Sequence, residues 1–145
     1  MTNRTESLLE RFNVIVNLGG QVPCVVMLYT GRTKVIGRII SGEAYLSAMS
    51  EKFRALCSYS KKTEAVEAVE KIAETINDMA RTQYSEEAVS QRRGHEEFIY
   101  LTNARISDGE NSDNLDYWCG RLSAIDGFSL HFGSPTEFAA LTGGI

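Results

Sequence analysis

Apolar residues recur first at helical spacing, then at strand spacing, then again at helical spacing, and return to strand spacing in the last third of the chain. Leu8, Leu9, Phe12, Ile15 and Val16 repeat every three to four positions and stop at Gly19-Gly20, which predicts an amphipathic helix over 5–19. Thr5 is a suitable cap, and Glu6 places negative charge at the positive end of the helix dipole. Residues 22–42 then read as two strands around the turn Thr30-Gly31-Arg32. The first of them is apolar on both alternating faces, as expected of a strand covered on two sides or lying in an oligomer contact.

From 43 to 92 the helical period returns. Tyr45, Leu46, Met49, Phe53, Leu56 and Cys57 form one stripe, and Ser58-Tyr59-Ser60-Lys61-Lys62 interrupts it. Thr63 opens a second helix whose narrow Ala/Val/Ile row includes Val66, Val69, Ile72 and Ile76, with Glu64, Glu67, Glu70, Lys71 and Glu74 on the other side. That row is short for a coiled coil. It is a candidate docking face, or simply the contact of a helical hairpin with its own sheet. Residues 83–97 hold few apolar positions and read as a linker.

The last third carries the strongest strand signals. Phe98 to Ile106 is β-branched and aromatic, and the polar run from Asp108 to Asn114 supplies turn residues. Two further strands are expected over 117–125 and 128–132, separated by Asp126-Gly127, and a tail over 133–145 has a helix-start pattern at Ser134-Pro135. Gly37 and Gly120 sit in mid-strand, where glycine marks bending or close backbone approach. One α+β domain follows, in the order helix, two strands, two-helix insertion, three strands. Helix plus five short antiparallel strands is the order of an Sm-like small β-barrel, and Leu101-Thr102-Asn103-Ala104 resembles a strand of that family.

Composition narrows the function classes. Net charge is −4, and the portion from residue 94 onward carries two basic against eight acidic side chains. Binding to a phosphate backbone draws on Lys and Arg, so this balance argues against nucleic acid as a partner. Cys24, Cys57 and Cys119 show no ligand-like spacing and fit a reducing, cytoplasmic setting, and no stretch has the length of a membrane span.

Candidate chemistry is sparse. His95 lies among charges, and His131 has only Asp126 within reach in sequence, which does not assemble a nucleophile, base and orienter. Asp108, Glu110, Asp113 and Asp116 share one region without the spacing of a calcium loop. No cofactor is implied. Arg38 and Arg121 each follow a strand glycine and in a barrel would flank one another, paired with Glu43 and Asp126 or presented to an anion. Trp118 suits core or subunit-contact burial.

Three strings read together carry a closer resemblance: Gly37-Arg38-Ile39-Ile40-Ser41-Gly42-Glu43-Ala44-Tyr45, Phe98-Ile99-Tyr100-Leu101-Thr102-Asn103-Ala104, and the run from Trp118 to Leu130. They resemble the GvpU family of gas vesicle accessory proteins. The resemblance implies a non-enzymatic cytoplasmic protein acting beside gas vesicle shells in assembly or clustering, with gas vesicle proteins as partners. A homo-oligomer is expected on separate grounds, because the short strands of a small barrel leave open edges for a neighbour to cover. The alternative is an Sm-like ring binding single-stranded RNA through Tyr100, Asn103 and Arg121.

Overall fold

A computed structural model describes residues 4–20, 25–57, 63–91 and 97–131. Helix α1 (Arg4–Asn17) opens the fold, followed by β1 (Val25–Thr30) and β2 (Thr33–Ile40). Helices α2 (Gly42–Cys57), α3 (Thr63–Gln83) and α4 (Glu86–Gln91) come next, and then β3 (Phe98–Ser107), β4 (Ser112–Arg121) and β5 (Gly127–His131). A single 3-10 turn, Leu122–Ala124, links the last two strands.

The five strands form one antiparallel sheet in the order β4-β3-β2-β1-β5. β4 and β5 are therefore its edges, and the sheet does not close. This corrects the barrel expectation, although the α+β class, the opening helix and the helical insertion between the second and third strands all appear. The expected bending is present in another form. Arg38 pairs with Thr102 but Ile36 pairs with Arg105, so β3 carries one more residue than β2 at that point. Asn103 takes a left-handed conformation there, with φ 50, a region in which Asn is among the better tolerated non-glycine residues. Gly37 lies under this bulge, where a Cβ would come within 3.0 Å of the Thr102 carbonyl oxygen. Asn103 and Gly37 are thus two halves of one irregularity.

Both faces of the sheet are covered. On one face Leu9, Phe12 and Val16 of α1 pack with Val26, Leu28, Val35, Ile39, Ile99 and Leu101. Each such side chain removed from water stabilises the fold by about 1.5–3 kcal/mol. On the other face Tyr84 and Val89 of the helical segment pack against Tyr100, with Ile40, Tyr45, Leu46, Phe98 and Cys119 around them. A separate small cluster joins Val25 and Met27 to Tyr29 and Ile36. β1 is buried on both alternating faces, as its sequence predicted.

Two expectations need correction here. The insertion holds a third helix, because α4 occupies part of the stretch read as linker and Val89 within it is fully buried. β4 begins in the predicted turn and ends at Arg121, and Leu122–Ala124 form the 3-10 turn instead of the end of a strand. The Thr5 cap, Cys24, the 58–62 break, His95 and the tail over 133–145 lie outside the described residues or side chains.

α1 ends as predicted. Gly19, at φ 93, donates its N–H to Val16, and Gly20 donates to Ile15, the paired bonds of a Schellman stop. Asn13 and Asn17, one turn apart on its buried face, tie the helix to both junctions of the insertion. Asn17 Oδ1 accepts from the Gly42 N–H at 2.8 Å, where α2 begins. Asn13 Nδ2 donates to the Phe98 carbonyl at 2.7 Å, where β3 begins.

Candidate functional site

Beside the Asn103 bulge, an open groove of about 380 Å³ runs between α2 and the β3/β4 surface. Ala48 and Ala55 of α2 leave room for it, while Thr102, Asn103, Asp116 and Tyr117 form its sheet side. Lys52 bridges the two sides. Its ammonium lies 3.3 Å from Asp116 Oδ2 and 5.7 Å from the centre of the Tyr117 ring. Both charged groups are solvent-exposed, so the pair contributes at most about 1 kcal/mol. The mid-strand Asn103 was the one sequence signal for this place; Lys52 and Tyr117 are 65 positions apart in the chain and gave none.

Behind the groove lies an aromatic cluster. Tyr45 stacks tilted on Tyr100 at 4.7 Å between ring centres and meets Tyr117 edge-on at 6.3 Å. Tyr84 meets Tyr100 edge-on at 5.9 Å, and the two hydroxyls lie 2.5 Å apart. Gly42 makes this fit possible, because a Cβ there would occupy the space of the Tyr84 ring. Tyr84 lies in the stretch read as linker, and Gly42 at the end of the stretch read as two strands, so the sequence alone linked neither to Tyr100.

Burial favours the neutral forms of three groups here. Burial, followed by the hydrogen bond between the Tyr100 and Tyr84 hydroxyls, pushes the Tyr100 hydroxyl far above the usual phenol range. Burial also raises Tyr45 and the Cys119 thiol. A thiol held in its protonated form is a poor nucleophile. The cluster is suited to packing rather than to proton or group transfer.

The residues singled out from sequence are dispersed. Arg38 lies on central β2 and Arg121 at the end of edge strand β4, with β3 between them. Their β3 partners, Thr102 and Phe98, are four residues apart. They do not flank one another, because β3 separates their strands. Asp126 instead accepts a 2.7 Å bond from the Gly31 N–H and holds the β1–β2 turn. Trp118 packs on the α1 side of the sheet over Gly120, whose missing Cβ makes room for the indole. Val66, Val69 and Ile76 are half-buried, Ile72 is 45% exposed, and Ala73 and Ala80 are the buried residues of α3.

Tyr100 is too deep to stack on a nucleobase, being 6% exposed. The acidic residues near the β3–β4 turn also diverge. Asp108 accepts from the Asn111 and Glu110 N–H groups, which hold its carboxyl below the ordinary range, while Asp116 reaches the opposite way to Lys52. Among the described residues no group of three His, Cys, Asp or Glu side chains is placed to hold a metal ion. No described helix is long and apolar enough to cross a membrane.

Comparison with known families decides the kinship. The family model described as gas vesicle protein GvpU-like matches residues 6–132. The chain belongs to the GvpU-like family. That span runs from α1 through β5, so the family relationship covers every element of the described fold. No curated protein and no solved structure matches the chain.

Proposed function

We propose that this GvpU-like protein is a non-enzymatic accessory protein of gas vesicles, which binds or organises their shells as an oligomeric interaction module. The observation that carries the reading is the family match across 6–132. Burial that favours the neutral forms of buried Tyr100 and of half-buried Tyr45 and Cys119 supports it, since these groups are arranged for packing. Of the residues singled out from sequence, Arg121 at the end of the edge strand, Arg38 on β2 and Ile72 on α3 are exposed and open to a partner. The setting is the cytoplasm, beside the shells.

Flotation tests this directly, because gas vesicles rise on centrifugation and carry bound protein with them. Purified protein should float with intact vesicles and stay in solution without them. Arg121→Glu should reduce the floated fraction while leaving the melting temperature unchanged. Protein that remains below the vesicles at all concentrations, or that instead purifies with bound RNA, overturns the proposal.

A further inference from the structure

The outward side of α3 carries a second helical row beside the one that meets α2. The inner row passes through Val66, Val69, Ala73, Ile76 and Ala80, of which Ala73 and Ala80 are buried. Ser50 of α2 donates to the Ala73 carbonyl at 3.0 Å, so the hairpin is already closed along that row. The outer row, at alternating three- and four-residue spacing, is Ala65, Ala68, Ile72, Thr75, Met79 and Thr82. Ile72 and Met79 are 45% and 40% exposed. Seven residues apart, they lie on the same side of the helix.

The charges flanking this row have a directional order. Apart from Glu70, which pairs with Arg54 of α2, they are, going up the helix, Glu64, Glu67 and Lys71, then Glu74, Asp78 and Arg81: two negative groups and a positive one, repeated, with the exposed Asp78 and Arg81 also paired to each other. A parallel copy would set Lys71 against Lys71 and Glu64 against Glu64. An antiparallel copy centred between Ala73 and Glu74 sets opposite charges together. Lys71 of each copy then faces Glu74 and Asp78 of the other, and Arg81 faces Glu64 and Glu67. The same register places Ile72 against Thr75 and Met79 against Ala68, so each large side chain meets a small one. Side-chain pairs of this kind select partner and orientation in helix pairs.

We propose that the outer row of α3 is a two-fold interface with a second copy of this chain, the helices running antiparallel. The inference deepens the oligomeric part of the accessory-protein reading. Its test uses purified protein without vesicles, so its failure leaves vesicle binding standing. Sedimentation equilibrium of the full chain at high micromolar concentration should give a mass near twice 16.1 kDa, or an even multiple of it. Ile72→Glu should halve that mass with an unchanged circular dichroism spectrum. Lys71→Glu should weaken association about tenfold, and adding Glu74→Lys and Asp78→Lys to the same chain should restore it. A monomeric wild type, an assembly unaffected by Ile72→Glu, or a triple variant no stronger than Lys71→Glu overturns the interface. The last outcome specifically removes the antiparallel order.

Discussion

Replacing Tyr84 by Phe deletes one oxygen from the interior and nothing else. Tyr84 and Tyr100 are each 6% exposed, and their hydroxyls are 2.5 Å apart. In the variant the Tyr100 O–H stays buried and loses this partner, which costs about 1–3 kcal/mol. Unfolding entropy near the midpoint is about 2.1 cal/mol/K per residue, or about 0.3 kcal/mol/K for a chain of 145 residues. The melting temperature should therefore fall by about 3–10 °C. The double variant Tyr84→Phe/Tyr100→Phe removes both oxygens, so it should cost less than the two single variants added together, by about 1 kcal/mol. Thermal and urea unfolding of the four proteins, followed by circular dichroism at neutral pH, measures the cycle. An unchanged Tyr84→Phe midpoint, or a double loss equal to the sum, would refute the idea that this hydrogen bond holds the helical insertion on the sheet.

Tyr100 also gives an alkaline signature. Its folded-state proton is held above the unfolded value of 10.0, so above that pH the unfolded chain releases a proton that the folded chain keeps. Stability should then decline by about 1.4 kcal/mol per pH unit on account of Tyr100, and urea midpoints from pH 9 to 11 should fall less steeply in Tyr100→Phe. At the bulge, Asn103→Val forces a β-branched residue into a left-handed backbone and should cost about 1–2 kcal/mol, while Asn103→Gly should lie within about 0.5 kcal/mol of wild type. Equal melting temperatures for the two would contradict the strain assigned to that position.

Periodicity made most of the fold legible. The α1 stripe ended where Gly19 and Gly20 end it, and the two-sided apolar character of β1 matched its burial between two layers. The open sheet was not legible, because a barrel and an open sheet share the same strand order and alternate side chains in the same way. The difference lies in whether β4 and β5 meet, which no local pattern encodes. α4 was missed because six residues with two alanine-or-valine positions, Ala88 and Val89, do not make a period, although Val89 is fully buried. The helix row through Val66, Val69 and Ile76 was read as a docking face or a contact with the sheet, whereas α3 lies against α2, with Ser50 bonded to Ala73 in that row. Its neighbour through Ile72 and Met79 became visible only once burial separated the side facing α2 from the side facing water. The groove at Asn103 joins residues from α2, β3 and β4, a juxtaposition that belongs to the tertiary fold.

The order of the sheet also has a consequence for biosynthesis. β1 is flanked by β2 and by the last strand, with Val25 opposite His131. A ribosome working at about 5–20 residues per second needs about 5–20 seconds between making those two residues. During that interval β1, apolar on both faces, has one open edge, the kind of edge that pairs with other chains. The N-terminal helix is in the same position, since the bond from Asn13 waits for the Phe98 carbonyl, 85 residues later. The nascent chain is thus most adhesive in the middle of its own synthesis, and neighbouring chains on one message would be the nearest surfaces for it to meet.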